Sequence, residues 1–516
     1  MYSKLRYPLS AGLALALFFC AGAGAELWMP SIFSSHMVLQ QNQKNPVWGK
    51  GDPGATLTIS FAGEEQQVTV DAEGRWQAAL KPVKAGYTAY DLRVAHGAVS
   101  LYFEDILMGE VWLASGQSNM QWTVDRSNNQ EAEIATANYP NLRLFYVTRT
   151  TADTPREDCE GTWQVCSPDM IAGYSAVAYF FGRDLHKALN IPIGMIHTSW
   201  GGTPSESWTS METAQAVPQF KPIIERWEKI VADWPQTLAA HEAQVAEWQA
   251  KKDRGEATDN DKPRAPTGPD HPHRIASLYN AMIHPLVPYG IKGAIWYQGE
   301  SNASRAFQYR TIFPAMIQDW RDQWDQGDFP FYLVQLANFR AREEAPTPDS
   351  DWAELREAQF MTLKALPNTG MASAIDIGEA DDIHPANKQE VGRRLALWAL
   401  NKDYYQFDVV PSGPLYKSHE IKDGKVIISF DYAEGLHAKY GDLGGFMIAA
   451  ADKQFVWADA MIQGNQLVVS SAAVPEPQAV RYAWAINPVS TLYNGAGLPA
   501  SPFRTDDWPG VTVEAQ

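Results

Sequence analysis

The stretch GEVWLASGQSNMQW, residues 109–122, decides the fold. Residues 111–114 form an apolar run that predicts a buried strand, and residues 115–119 are abruptly small and polar. In open α/β sheets, sites form where such strands end. A strand-to-helix turn with a serine cap has the same pattern, so Ser118 is a candidate nucleophile that the rest of the chain must support.

Length and composition indicate an acidic, globular chain of several domains. The 516 residues exceed one ordinary core, and 45% of them are hydrophobic and 20% charged. The net charge of −18 disfavours nucleic acid and anionic membranes as partners. The 19 Trp and 21 Tyr suit carbohydrate binding, because their faces stack on sugar rings, and they also suit large β-rich cores.

The N-terminus predicts export. Residues 1–25 begin with Lys4 and Arg6, continue with an apolar stretch over 9–19 and end in AGAGA, which is the pattern of a secretory signal peptide. The apolar stretch is short for a bilayer, and no later stretch is long and apolar enough, so we expect no membrane span. The mature protein is expected to be periplasmic or extracellular.

Removal of that segment leaves two cysteines, Cys159 and Cys166, in the string CEGTWQVC. An even pair in an exported chain predicts a disulfide across a short loop. A metal site would need further ligands at this spacing, and the sequence offers none nearby, so we expect no metal there.

Hydrophobic periodicity predicts a central α/β domain between two β domains. Short alternating runs broken by Gly, Pro and Asp over residues 26–105 predict an N-terminal antiparallel β-sandwich. Apolar strands separated by helices over 106–404 predict a parallel sheet. Alternation returns over 405–516 and predicts a second, C-terminal β-sandwich.

Residues 216–273 interrupt the central alternation. Apolar and aromatic residues recur at steps of four and three from Trp227 to Trp248, which predicts a helix that Pro235 could kink. A polar, proline-rich run follows. We expect a helical insertion and loop over the α/β domain, with the stripe serving packing rather than ligand binding.

Four predicted strands are followed by polar or glycine-rich segments, namely SGQSNM, HTSWGGTPSESW, WYQGESNA and DIGEADDIHPANK. Together they could supply an acyl-transfer site, with Ser118 as nucleophile and His384 as the base that takes its proton. Oxyanion donors could be the Ser118 amide, a glycine amide of WGG and a side-chain amide of Gln298 or Asn302. Each feature alone has an ordinary explanation as a turn, a cap or a loop histidine. Their joint occurrence favours a site.

Two aspartates compete as the acid that holds His384. Asp381 lies three residues before the histidine, and in a single turn this offset can direct a carboxylate to Nδ1. Asp382 lies two residues before it, and in an extended chain its carboxylate would sit beside the ring. The spacing therefore favours Asp381. Pro385 biases His384 towards an extended conformation before a helix.

The order of Ser, Gly, polar amide and Asp-x-x-His resembles the SGNH hydrolases, and longer strings resemble the sialate O-acetylesterase family. From about residue 27 onward these are GQSNMQW, SWGGTPSESW, LYNAMIHPL, GAIWYQGESNA, DIHPANKQEVGRRLA and LPASPFRTDDWPG. The resemblance implies an SGNH-like parallel core in a secreted carbohydrate esterase. Such enzymes remove O-acetyl groups from sugars, which are sialic acids in the name-giving members and plant-wall glycans in relatives.

Matched residue by residue, the resemblance implies Ser118 as nucleophile, His384 as base, and Gly202 and Gln298 as oxyanion donors. Amide donors stabilise the oxyanion, so the mechanism needs neither metal nor cofactor. The chain departs from the broad group at the nucleophile, where Gly-Gln-Ser replaces Gly-Asp-Ser.

The family strings leave two assignments open. In the segment WYQGESNA, where the SGNH hydrolases have an Asn, both Gln298 and Asn302 are eligible donors. The string shared with the family centres on Asp382, whereas the spacing favours Asp381, and without a positioned acid a Ser–His pair would remain. Glu300 could brace the donor or act as an acid at a helix start.

Alternatives remain for the function. The enzyme could act on sialic acids or on acetylated xylan or pectin, and a non-catalytic glycan-binding protein on the same scaffold is a third reading. The complete Ser–His–acid set argues against a pure binder, and the absence of Gly-x-Ser-x-Gly argues against a lipase. Acidic composition disfavours a polyanionic substrate unless Arg274, Arg305 or Arg356 forms a basic pocket. The sequence does not indicate an oligomeric state.

Overall fold

A computed structural model describes residues 27–516, so the predicted signal peptide lies outside the described residues. The first strands of the chain are β1 Val38–Gln40, β2 Asn45–Lys50, β3 Thr56–Phe61, β4 Glu64–Thr69, β5 Arg75–Leu80, β6 Gly86–His96 and β7 Val99–Gly116. Strand β2 pairs with β5, and β3 pairs with β4 and β6, all antiparallel. Buried residues alternate with more exposed ones along β2 and β3, as expected for strands with one face on a core.

The 18-residue strand β7 belongs both to the N-terminal strands and to the central sheet. Its first part pairs antiparallel with β6, and from Leu107 onward it pairs parallel with β1. Residues 106–116 are buried without interruption, including the apolar run 111–114 and the charged Glu110. The boundary predicted between residues 105 and 106 therefore falls within one strand.

The central sheet is mostly parallel. Its further strands are β8 Tyr139–Tyr146, β9 Trp163–Cys166, β10 Ile193–Ser199, β11 Gly293–Tyr297, β12 Phe331–Gln335 and β13 Thr369–Ser373. The strand order is β13-β12-β11-β7-β10-β8-β9, and β9 runs antiparallel to its neighbour β8. Strand β7 thus lies in the middle, between β11 and β10.

Helices separate the central strands, which confirms the α/β class. They are α1 Ser118–Gln121, α2 Gln130–Ala135, α3 Pro168–Ile171, α4 Ala176–Leu189, α5 Met211–Ala216, α6 Lys221–Asp253, α7 Ala306–Trp324, α8 Asp351–Ala365 and α9 Lys388–Lys402. The side chains of Ser175, Ser350 and Asn387 cap α4, α8 and α9 by accepting a backbone N–H of the first turn. Helix α4 packs against α9, and α7 packs against α8.

The predicted insertion contains α6, which runs for 33 residues through Pro235. Trp227 and Trp248 of the predicted stripe are buried. Val231 and Leu238 between them are 38% and 36% exposed. The helix prediction is confirmed, and packing covers only part of its stripe. No helix within residues 27–516 is long and apolar enough to cross a membrane.

The C-terminal part consists of short antiparallel strands with a hydrophobic cluster of their own. They are β14 Leu415–Lys422, β15 Lys425–Asp431, β16 His437–Ala438, β17 Phe446–Ala449, β18 Val456–Trp457, β19 Asp459–Gln463, β20 Gln466–Ser470, β21 Ala479–Tyr482, β22 Leu492–Tyr493 and β23 Phe503–Arg504. Two four-stranded sheets have the orders β14-β15-β20-β19 and β18-β17-β21-β23, and β16 pairs with β22.

Arg356 joins this C-terminal part to the central domain. It is completely buried on α8, and its guanidinium donates to the carbonyls of Leu336 and Ala337 and to those of Ala485 and Ile486. The prediction that Arg356 could supply a basic pocket is therefore wrong, because backbone carbonyls occupy its donors.

The predicted disulfide is absent from this structure, in which Cys159 and Cys166 are both buried free cysteines. The two cysteines make different contacts. Cys166 ends β9, where its thiol contacts the carbonyl of Ala137 at 3.6 Å, whereas the Cys159 N–H donates to Asp158. Burial raises the pKa of both thiols to about 12. They are therefore unreactive in the folded chain.

Candidate active site

Three neighbouring strands end at one level of the sheet. In the parallel register, Gly116 of β7 lies beside Ser199 of β10 and Tyr297 of β11, so the residues that follow share one edge. Gly116 has φ +141°, and a Cβ at this position would lie 2.2 Å from the Tyr297 carbonyl oxygen. Only glycine permits this close approach of the two strands. The predicted meeting of strand ends is confirmed for these three strands, whereas the fourth predicted segment follows β13 at the outer end of the sheet order.

Ser118 opens helix α1 directly beyond this edge and is partly buried. A Cβ built on Gly201 would lie 3.3 Å from Ser118 Cβ, so the WGG segment runs alongside the serine. Neither the hydroxyl nor the N–H of Ser118 hydrogen-bonds to another residue of the described chain. N–H groups in the first turn of a helix lack intrahelical partners, so this amide is free to bind an anion.

The residues on either side of Ser118 hold the other strand-end segments. Gln117 Oε1 accepts hydrogen bonds at 3.3 Å from two backbone N–H groups of the segment 299–301. Asn119 Nδ2 donates to Glu300 Oε1 at 2.6 Å and to the carbonyl of Ile383 at 3.1 Å. Ile383 directly precedes His384, so the predicted base is tied to the residue next to the predicted nucleophile.

His384 faces Asp382 rather than Asp381. The distance from His384 Nδ1 to Asp382 Oδ1 is 3.4 Å, and the same oxygen accepts the His384 N–H at 2.8 Å. Asp381 is exposed and forms no ion pair with the histidine. The geometry expected from spacing is wrong because Asp382 bonds the backbone two residues on, which is the Asx turn that aspartate favours. That turn brings its carboxylate to the imidazole.

The surroundings of His384 keep its imidazole neutral. Partial burial lowers its pKa below the ordinary value, and the charges of Lys388 and Arg126 lower it further, whereas Asp382 raises it. The ring also stacks on Trp122 with centroids 4.9 Å apart and an angle of 13° between planes. A neutral, oriented imidazole is the form that accepts a proton from a serine.

The side chain of Gln298 does not face the site as predicted. It is completely buried, and its amide group donates to Asn302 Oδ1 at 2.6 Å and to the Thr203 carbonyl at 3.4 Å. Asn302, the alternative donor, gives its own amide group to Glu206 at 2.9 Å. Both amide groups are therefore committed to the interior.

Backbone amides take the place of these side chains. The N–H of Gly202, like that of Ser118, has no acceptor within residues 27–516. Gly202 has φ +78°, a conformation that glycine adopts without strain, and its carbonyl is held by the Ser301 hydroxyl at 2.8 Å. The Ser118 and Gly202 amides thus remain the available donors for an oxyanion.

Glu300 lies behind this arrangement. The residue is partly buried and contacts Asn119, and desolvation raises the pKa of its carboxyl. One of its two oxygens has no hydrogen-bond partner among the described residues. Glu300 opens the short 3₁₀ helix Glu300–Arg305, which fits the predicted acid at a helix start, and it contacts Asn119 rather than the predicted donors Gln298 and Asn302.

The insertion reaches the site through histidines that sequence reasoning missed. His273 Nε2 lies 3.9 Å from the Cβ position of Gly202. The ring of His271 meets that of His273 edge-on at 4.5 Å, and Trp227 of α6 stacks on His271 at 6.3 Å. The signal for these residues was the string DHPHR at the end of the polar loop, which carries two histidines within three positions.

The remaining arginines proposed from the sequence are already paired. Arg274 forms an ion pair with Asp153, and Arg305 forms one with Glu206 at 2.6 Å. Neither guanidinium is free to form the basic pocket that the sequence suggested.

Two other arginines, which were not predicted, lie over tryptophans of the strand-end segments. Arg126 lies over the ring of Trp122 at 5.4 Å, and Arg149 lies over the ring of Trp200 at 5.8 Å. Both arginines are exposed, and within the described chain neither forms an ion pair with a carboxylate. Trp122 follows the nucleophile segment and Trp200 precedes the glycine pair, so each arginine lies against a segment that borders Ser118. Residues 27–516 contain no cluster of metal-ligating side chains.

The chain is similar to known proteins over most of its length. A family model described as "Carbohydrate esterase, sialic acid-specific acetylesterase" matches residues 267–401. Sialate O-acetylesterases from Pongo abelii and Homo sapiens are each 31% identical, over 97% of this chain and 98% of those proteins. The solved structure of a carbohydrate acetylesterase from Xanthomonas citri is 37% identical with a TM-score of 0.79, over 93% of this chain and 100% of that one.

The fold, the strand-end site and these likenesses define the protein as a carbohydrate esterase, a hydrolase of ester bonds. More narrowly, the chain belongs to the sialate O-acetylesterase family. The family resemblance read from the sequence strings is confirmed.

Proposed function

We propose that the protein is an exported serine esterase with an SGNH-type core between two β-sandwiches, and that it releases acetate from O-acetylated sialic acids, chiefly from the 9-O-acetyl group. Membership of the sialate O-acetylesterase family supports the ester class. The pattern of residues 1–25 supports export.

The proposed reaction begins when Ser118 Oγ attacks the acetyl carbonyl carbon while His384 takes the hydroxyl proton. The Asp382 carboxylate stabilises the imidazolium, and the N–H groups of Ser118 and Gly202 stabilise the tetrahedral oxyanion. The sugar oxygen leaves with the proton from His384. Water then attacks the acetyl-enzyme with His384 again as base, and acetate and the free serine result.

One observation carries this proposal: the bond from Asn119 to the Ile383 carbonyl. It joins Asn119, the residue after Ser118, to Ile383, the residue before His384. These two residues are 264 positions apart in the chain. The lowered pKa of His384 adds chemical support, because a base must be unprotonated near neutral pH. Catalytic hydrogen bonds are often loose without substrate, so a free Ser118 hydroxyl fits this role.

The preference for sialic acid rests on charge. Sialic acids carry a carboxylate. Arg126 and Arg149 lie on tryptophans of the segments that border Ser118, and neither has an acidic partner in the described chain, although the whole protein carries a net charge of −18. Stacking on Trp122 and Trp200 orients each guanidinium. A neutral xylan chain would not use this positive charge.

Acetate release tests the proposal. We expect the wild-type enzyme to release acetate from 9-O-acetylated sialic acid faster than from acetylated xylan. The Ser118→Ala variant should lose activity by several orders of magnitude, as removal of a nucleophile does, whereas Ser418→Ala, at an exposed serine on β14, should not change it. Activity of Ser118→Ala above about a tenth of wild type would rule out the serine mechanism. Faster acetate release from acetylated xylan would contradict the proposed sialic acid substrate.

A further inference from the structure

Lys388, the first residue of α9, is completely buried. Lysine is among the residues least often buried completely, because its ammonium loses hydration unless polar partners replace the water. Burial lowers the pKa of Lys388 to about 7. A lysine retained in such a place calls for an explanation in terms of what it contacts.

The Lys388 ammonium holds two parts of the site. It donates to Asn119 Oδ1 at 2.6 Å and to the carbonyl of Pro385 at 2.8 Å. It also lies 5.7 Å from the ring centroid of Trp122 and 5.5 Å from that of Tyr297. A single ammonium has three donors that point in different directions, so it can reach two oxygens and aromatic faces from one point.

These contacts surround His384. The carbonyl just before it, Ile383, is bound by Asn119, and the carbonyl just after it, Pro385, is bound by Lys388. Trp122 stacks on the imidazole and also lies beside the Lys388 ammonium. The backbone on both sides of the histidine and one face of its ring are therefore connected through Lys388.

We propose that Lys388 is a positioning residue, which fixes the His384 imidazole relative to Ser118 through Asn119, Trp122 and the Pro385 carbonyl. This inference rests on the proposed function, in which His384 is the base for Ser118. Lys388 touches neither reacting group. Its effect is to hold one element of the site against another.

The charge of Lys388 provides a second signature. The charged groups that act on His384 are Asp382 from its own loop, Lys388 from α9 and Arg126 from the segment after α1. Those that act on Lys388 are Glu300, Asp382 and Glu379. Since Lys388 lowers the pKa of His384, removal of its charge should raise that pKa. A purely structural lysine far from the histidine would not move it.

The test compares Lys388→Met, which keeps much of the side-chain volume, with Lys402→Met at the exposed far end of the same helix. We expect Lys388→Met to lower kcat about 30- to 100-fold, because misplacement of a catalytic group by about 1 Å can cost 10²-fold. KM should stay within about threefold, since Lys388 does not face substrate. The acid limb of the pH profile of kcat/KM should move to higher pH. Lys402→Met should leave all three quantities unchanged.

Circular dichroism and thermal unfolding establish whether the variant is folded. If Lys388→Met does not fold, Lys388→Gln serves instead, because its amide keeps two N–H donors and lacks the charge. For this variant we expect a smaller loss of kcat and the same shift of the acid limb. A folded variant of either kind with kcat within about twofold of wild type and an unmoved acid limb overturns the positioning role.

The same measurements separate this inference from the proposed function. If Ser118→Ala keeps its activity, the serine mechanism fails whatever Lys388→Met does. If Ser118→Ala is inactive and Lys388→Met is folded and normal, only the positioning role fails.

Discussion

Substitution of Asp382 by Asn keeps the shape of the side chain and removes its charge. The carboxylate lies 3.4 Å from His384 Nδ1, and the Asp382 and His384 side chains are 47% and 27% exposed. At this distance an ion pair is worth about 1 kcal/mol in water and about 5 kcal/mol at an effective dielectric constant of about 20. Because water reaches both groups, we expect about 1–2 kcal/mol, which lowers kcat about 5- to 30-fold. Neutralising a fully buried triad aspartate costs about 10⁴-fold, so this loss is much smaller.

The pH profile of kcat/KM supplies the direction. Asp382 raises the pKa of His384, so Asp382→Asn should lower that pKa and move the acid limb to lower pH, opposite to the shift expected for Lys388→Met. Asp381→Asn is the matched control and should change kcat by less than about twofold, because Asp381 is exposed and does not face the ring. A larger loss of kcat in Asp381→Asn than in Asp382→Asn would refute this reasoning.

Three further outcomes follow from the structure. Joint substitution of Arg126 and Arg149 by Gln should raise KM for acetylated sialic acid about tenfold, because this substrate carries a carboxylate. The KM for p-nitrophenyl acetate, which has no carboxylate, should stay within about twofold. An equal change for both substrates would contradict a carboxylate site. Thiol titration should find Cys159 and Cys166 unreactive in the native protein and both reactive after unfolding without reductant, because they are buried and unbonded; no thiol before reduction would restore the disulfide. Arg356→Met should lower the free energy of unfolding by about 3–5 kcal/mol in urea titrations, because four buried carbonyls lose their donor. A loss below about 1 kcal/mol would mean that other groups bond these carbonyls.

The sequence predicted the edge at which the site forms, because that information is local. Each of the strands β7, β10 and β11 contains an apolar run and is followed by a polar or glycine-rich segment. Parallel pairing then brings Gly116, Ser199 and Tyr297 to the same level. Family strings fixed the residue types around Ser118 and His384 for the same reason, since each string is contiguous.

The direction of single side chains could not be predicted, because contacts between distant segments decide it. Gln298 turns inward since Asn302, Thr203 and Tyr309 offer it partners in the core. Asp382, rather than Asp381, reaches the imidazole because of a turn two residues long. Spacing along the chain contains neither fact.

The burial of Lys388 could not be predicted from the sequence either. In the string DIHPANKQEVGRRLA it resembles an ordinary solvated lysine near a helix start. Its burial depends on Asn119, which lies 269 positions away, and on the packing of α9 against α4. Long-range packing of this kind leaves no mark in local composition.

Covalent trapping of the nucleophile tests the central claim most directly. The wild-type enzyme and a His384→Ala variant are treated with a fluorophosphonate, which reacts only with an activated serine, and the modified peptide is identified by mass spectrometry. We predict one adduct on wild-type Ser118 and none on His384→Ala, because the imidazole must take the hydroxyl proton. An adduct on another residue, or acetate release that survives full modification of Ser118, would contradict the account.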